Sequence, residues 1–241
     1  MSITYIPKYT NSYVAVLDIL GFKNLLNSQE DKACQNLYNL FTAIDFDSNS
    51  AAQMKSANSF DDETMNIPLD DVQQYIMSDT IIFSIDATKI NARAALIVQV
   101  AYFAGKLLVN NPDPILVRGA VSKGDYYLNK KKRFMYGPAM ADAYLLEENS
   151  AIYPRIIVHQ GIFDNVEKEF EMIGFPQPDV WLYDDFDGFK CIDYFRTVSL
   201  EKVIPKIEQI IDTTTDLKIR AKNYYIKNFF DTRINKHDFR W

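Results

Sequence analysis

Histidine and cysteine are nearly missing from this chain, with two of each in 241 residues. Cys34 and Cys191 lie far apart, without CxxC spacing or clustered histidines, which excludes a zinc site of the usual ligand types and gives no disulfide framework. Both read as buried thiols in a reducing compartment. His159 and His237 lack a Ser or Cys partner at motif spacing and read as structural or surface histidines. No G-x-x-x-x-G-K or G-x-G-x-x-G phosphate loop occurs. The formal net charge is -6, so a broad basic surface for nucleic acid is not expected. No apolar run approaches bilayer length, and the opening residues Met1 to Lys8 lack the basic and apolar blocks of a signal peptide. A cytoplasmic chain without membrane contact is the expectation. Internal repeats and low-complexity tracts are lacking too.

What is present is the material of a substantial core: 48% apolar residues, with 16 Phe and 15 Tyr. One stretch organises the rest. Tyr13 to Lys23 is an apolar run rich in valine, read as a strand buried on both faces, with Asp18 at its exit and Gly21 just beyond. A carboxylate there loses water without regaining polar contacts from carbon neighbours, so a metal or several donors should hold it. Alternatively Asp18 caps a short helix beginning near Phe22. Taken alone, the residue leaves both open.

From Asp31 to Phe46 the apolar positions Leu37, Leu40, Phe41 and Ile44 recur at helical spacing, and Asp47 to Asn66 reads as a long polar loop. Val72 to Met77 and Thr80 to Ile85 are two apolar runs around Ser78-Asp79, the pattern of a hairpin. Lys89 to Val109 carries a wide helical stripe that should cover one sheet face. Ile115 to Val121 is again a strand, and Gly124 to Gly137 an arm running out and back with Lys130 to Arg133 near its tip. Gly137-Pro138 opens a helix through Glu148. Arg155 to Val158 is one more buried strand. A helix is expected from Ile162 to Met172, short strands at Val180 to Tyr183 and Phe189 to Ile192, and paired helices from Leu200 to Asp231. Lys218, Arg220, Lys222 and Lys227 on the last helix read as solvated charges of an amphipathic helix docked on the domain.

Strand, helix, strand, strand, helix, strand is the order of a ferredoxin-like α+β sheet, whose first and third strands are central neighbours. In that arrangement Asp18 and Asp79 face one another across adjacent strands. Two carboxylates that close repel unless a cation lies between them, and magnesium, a hard cation that chooses oxygen, is the natural one.

These residues carry a resemblance. Val16-Leu17-Asp18-Ile19-Leu20-Gly21-Phe22 resembles the metal-binding opening of the class III nucleotide cyclases, and Ser78-Asp79-Thr80 with its apolar strand resembles their hairpin motif. Arg118 to Gly124 is similar to the following strand and turn, and Tyr136-Gly137-Pro138-Ala139 to the start of the next helix. The resemblance covers roughly residues 12 to 160. It implies a cyclase core over 1–160, with 161–241 adding strands and a helical C-terminal extension to what remains a single domain. It also implies two Mg2+ or Mn2+ ions bound by Asp18, Asp79 and the carbonyl of Ile19. Phosphate would be received around Leu20, Gly21, Phe22 and Lys23, and a head-to-tail homodimer would form.

Two departures shape the expectation. The family's Asn and transition-state Arg fall at Ala141 and Leu145 here, leaving Arg118, Lys123 and the Lys130 to Arg133 cluster as substitutes. Four residues before the second aspartate, where the family places Lys for adenine or Glu for guanine, stands Tyr75. A ring there favours a small base, and the chain resembles the bacterial pyrimidine cyclases of the Pycsar antiphage system. That implies cyclic UMP or cyclic CMP made from UTP or CTP, UTP first, and read by a separate cyclic-nucleotide-binding effector. If the register is one residue off, Tyr75 is an ordinary strand aromatic on the other face. The alternatives are a turnover-deficient nucleotide-sensing or protein-interaction module, and a purine cyclase. A diguanylate-cyclase-like relative is the weaker reading, since the Gly-Gly-Asp/Glu-Glu-Phe turn is missing.

Overall fold

The computed structural model describes residues 8–27, 38, 68–109, 114–162, 164–172 and 181–235. The helix expected over Asp31 to Phe46, apart from Tyr38, and the loop expected over Asp47 to Asn66 lie outside these residues, as do Cys34 and His237.

Strand β1 (Thr10–Ile19) is buried from Ser12 to Leu17 and again at Ile19, as its continuous apolar run requires. Gly21 follows in the left-handed region, φ +78, where a Cβ would meet no atom within 4 Å. The need for glycine there is conformational rather than steric. Helix α1 (Phe22–Asn27) starts from the Gly21 carbonyl, which accepts from Asn24 and Leu25 N–H. β2 (Gln73–Met77) and β3 (Thr80–Asp86) form the hairpin around Ser78-Asp79, with Ser78 itself left-handed at φ 60. Then come α2 (Ala92–Leu108), β4 (Val117–Asn129), β5 (Phe134–Tyr136), α3 (Pro138–Ser150) and β6 (Ile156–Val158). The short α4 (Glu167–Met172), β7 (Leu182–Asp184), β8 (Lys190–Ile192), α5 (Leu200–Thr213) and α6 (Leu217–Asn235) complete the described chain.

The sheet runs β2-β3-β1-β4-β6-β8-β7, with β5 folded back on β4. Its first four strands are antiparallel in the ferredoxin-like order, so the architecture is α+β as the element pattern implies. β6 joins β4 in parallel after the α3 crossover, and β8 and β7 extend the same sheet. The helix expected from Ile162 is shorter than its pattern. Gly161 (φ +79) and Asn165 (φ 58) are left-handed, and a helix cannot run through such residues.

Alternation along β1 divides the core. Tyr13, Ala15, Leu17 and Ile19 face α2, where Phe83 meets Phe103 edge to face at 5.2 Å between centroids. Val14, Val16 and Ile82 face α3 through Ala139 and Ala143, whose small side chains bring the helix close to the sheet. Gly119 is the tightest strand contact that bears on the site. A Cβ there would lie 2.6 Å from the Val16 carbonyl oxygen, so β1 and β4 hold their spacing only with glycine. Across the sheet, α6 packs on α5 and lays Phe229 against Tyr183 of β7.

Candidate functional site

Register brings the two sequence-selected acids to one rim. Asp18 pairs with Thr80 on β3 and with Arg118 on β4, and Ile19 N–H donates to the Asp79 carbonyl at 2.9 Å. The hairpin turn therefore abuts the exit of β1. Asp18 does not cap α1, which begins from Gly21 instead; its Oδ2 accepts from Arg118 Nε at 3.0 Å. Both side chains are about a quarter exposed, at 25% and 26%. Solvent therefore reaches the pair, and the pair itself adds little to stability.

A third charged group closes on this pair. Glu147, near the end of α3, is 3% exposed, and its Oε1 lies 2.8 Å from the same Arg118 Nε. That oxygen nevertheless has no hydrogen bond, because the Nε–H is aimed at Asp18. Burial pushes the Glu147 carboxyl up to about 7, Arg118 pulls it down, and Asp18 and Glu148 push it up. Lys222 of α6, half-buried, shares the same field. Its ammonium is shifted below the ordinary lysine value by burial first and then by Arg118, with Asp18 and Asp216 opposing. Sequence reasoning passed over both residues as site members. For Glu147 a signal existed: Ala139, Ala143 and Glu147 are the buried positions of α3 and recur every four residues.

The remaining selected residues divide. Tyr75 pairs with Ile82 and packs with Val14 and Val16, so it stands on the face that carries Asp18, not the opposite one. Burial raises its phenol above the usual range. Phe22 packs its ring on the large core, whereas Gly21 and Lys23 are exposed. Lys123 pairs with Tyr13, on the face away from Asp18, and sets its ammonium 5.1 Å from that ring centroid. It lies roughly 16 Å along β4 from Arg118 at the usual rise per residue. Lys130 to Arg133 form the β4–β5 turn, about 40 Å along the strand by the same measure. Neither comes to Asp18. Ala141 is exposed on α3, and Leu145 is 52% exposed.

A neighbouring arginine forms a separate cluster. Arg155, 2% exposed, donates to Asp185 at 2.6 Å, to both oxygens of Asp187 at 2.8 and 2.6 Å, and to the Ser150 carbonyl at 2.9 Å. Tyr225 of α6 donates to Asp185 at 2.7 Å and stacks on Tyr153 with centroids 5.1 Å apart.

Among the described residues no group of three or more His, Cys, Asp or Glu side chains gathers as a metal cage. The donor types that Asp18, Asp79 and the Ile19 carbonyl would bring, carboxylate and carbonyl oxygen, are those that magnesium and manganese choose. Magnesium uses one or two protein carboxylates and completes its shell with phosphate and water. No helix among the described residues is long and apolar enough to cross a membrane.

No family model matches the chain, and no curated protein matches it. Among solved structures it is similar to the monomeric guanylyl cyclase domain of the RhoGC fusion protein from the aquatic fungus Blastocladiella emersonii, at 12% identity over 76% of this chain and 94% of that one, TM-score 0.49. It is similar to the adenylyl cyclase CyaB from P. aeruginosa, at 13% identity over 81% of this chain and 100% of that one, TM-score 0.48. A bacterial light-regulated adenylyl cyclase is similar at 13% identity over 84% of this chain and 99% of that one, TM-score 0.46.

Proposed function

We propose that the protein is a nucleotide cyclase that turns a pyrimidine nucleoside triphosphate, UTP before CTP, into its 3',5'-cyclic nucleotide and pyrophosphate. The observation that carries this reading is the meeting of Asp18 and Asp79 at one rim, with Arg118 beside them. In the reaction the ribose 3'-oxygen bonds to the α-phosphorus as its proton leaves, and the bond from that phosphorus to the pyrophosphate oxygen breaks. Mg2+ or Mn2+ ions held by Asp18, Asp79 and the Ile19 carbonyl would supply charge to the attacking and leaving oxygens. Arg118 places a cation where negative charge grows, a role that Ala141 and Leu145 lack the chemistry for. The Gly21 to Lys23 turn offers backbone amides to the phosphates, while Leu20 N–H is already given to the Leu116 carbonyl at 2.8 Å. Tyr75, on the same face, narrows the space for the base. Lys123 has no part, because it belongs to the other face.

The active unit in this reading is a head-to-tail homodimer. Exposed Met77, Tyr144 and Leu145 are apolar residues near the site that a second copy would cover. The resemblance carried by Tyr75 extends the reading to a messenger synthase of antiphage defence, whose product a separate effector reads.

The test is incubation of the full chain with each of four nucleoside triphosphates and Mn2+, with products resolved by mass. A cyclic pyrimidine product is expected, and cyclic purine product alone reassigns the base. A second reading, nucleotide binding without turnover, rests on Asp18 being already held by Arg118. Thermal stabilisation by nucleotide with no product from any of the four would select it.

A further inference from the structure

We propose that Glu147 is a positioning residue that serves as the second berth of Arg118, receiving the guanidinium when a divalent cation takes Asp18. This rests on the cyclase reading above. Three observations meet here. One nitrogen, Arg118 Nε, lies 3.0 Å from Asp18 Oδ2 and 2.8 Å from Glu147 Oε1. Its hydrogen goes to Asp18 alone, so Oε1, buried in a residue 3% exposed, is left without a hydrogen bond. A buried acceptor without a donor is costly unless another state of the molecule satisfies it. Finally, Glu147 sits in the last turn of α3, where the helix dipole disfavours an anion.

A cation on Asp18 and the guanidinium that now binds the same carboxylate repel one another. Without another anion in reach, Arg118 must either block the cation or leave the site for water. With Glu147 in place, a small rotation carries the Nε–H from Asp18 Oδ2 to Glu147 Oε1. Asp18 is freed, the buried acceptor is satisfied, and the guanidinium stays beside the reacting phosphate. Lys222, which shares this field, remains on α6 and adds positive charge without taking part in the exchange.

The test is Mn2+ titration of the full chain, followed by electron paramagnetic resonance, for the parent, Glu147→Gln, Arg118→Ala and the double variant. Glu147→Gln is expected to weaken Mn2+ binding about tenfold, because the amide oxygen can still accept a hydrogen bond but carries no charge, leaving Asp18 as the one anion of the pair for Arg118. The double variant is expected to recover parent affinity, since the competitor is gone. That recovery separates lost exchange from lost fold. In turnover the Gln variant should need about tenfold more Mn2+ for half-maximal rate, with the KM for nucleotide at saturating Mn2+ unchanged. If the parent binds Mn2+ and cyclises nucleotide while Glu147→Gln titrates like the parent, the berth is overturned and the cyclase reading stands. If the parent itself binds no Mn2+ and makes no cyclic product, both fall.

Discussion

Arg118 is the second residue of β4 and Arg155 immediately precedes the parallel β6, and each meets two carboxylates, yet they are built for different work. Arg155 is sealed from water and donates four hydrogen bonds, to Asp185, to both oxygens of Asp187 and to the Ser150 carbonyl. Its attachment to Asp185 passes through Tyr225 to the C-terminal helix, tying α6 to the sheet. Arg118 reaches water, makes one aligned hydrogen bond, and leaves its second carboxylate unsatisfied. An arginine with four bonds from its two terminal nitrogens holds a fold together; one with a single aligned bond, at a rim with two aspartates, has the second carboxylate in reach for the exchange proposed above. In the proposed reading the arginine beside β6 serves structure and the one at the start of β4 serves chemistry.

The largest effect that would sharpen the contrast is on stability. Arg155→Met strands Asp185 and Asp187 and should cost roughly 3 to 5 kcal/mol, while Arg118→Met should cost no more than about 1 kcal/mol. Urea denaturation of both variants measures the gap, and equal losses would erase the distinction. Turnover should sort the other way. Asp18→Ala and Asp79→Ala are each expected to cut the rate of cyclic nucleotide formation at least about 100-fold, the scale of losing one preorganised charge contact, with little change in melting temperature. Comparable loss of Tm in these variants would mean that the rim is structural after all.

A smaller effect is pH-dependent. The folded Glu147 carboxyl is raised from 4.5 to about 7, so the folded state holds a proton that the unfolded state releases earlier. Stability contributed by this group is therefore complete below about 4.5 and is lost as pH rises through about 7. Relative to Glu147→Gln, the parent should lose roughly 3 kcal/mol across that window. Denaturation curves at several pH values read it directly, and a difference that stays flat with pH would remove Glu147 from the rim's charge balance. The smallest effect concerns the base. Tyr75→Ala should raise turnover of purine relative to pyrimidine triphosphates by about tenfold, a pocket-size effect, in competition assays with mixed substrates. An unchanged ratio would make Tyr75 an ordinary strand aromatic.

That the Asp79 turn abuts the exit of β1 was legible in the sequence because it depends on local patterns. Two apolar runs around a two-residue turn define a hairpin, and the strand order then decides which ends touch. Tyr75 needed the register, which the run from Val72 left ambiguous by one residue and the pairing with Ile82 resolves. Glu147 was legible only as the third position of the stripe that Ala139 and Ala143 begin. It looks like the first of two solvated glutamates at a helix end, and only the seating of Ala139 and Ala143 against the sheet turns it inward. Arg155 shows the same difficulty. A buried strand opening on an arginine demands an anion, but Asp185 and Asp187 lie 30 and 32 residues away, beyond any local spacing rule.

Whether the protein is a pyrimidine cyclase is decided by cyclic nucleotide and pyrophosphate, quantified together, from UTP and Mn2+ with the full chain and with its Asp79→Ala variant. Equal molar amounts of cyclic UMP and pyrophosphate from the parent, and neither from the variant, is the predicted result. Undiminished cyclic UMP from the variant, or no cyclic product from the parent with any of the four triphosphates, would contradict it.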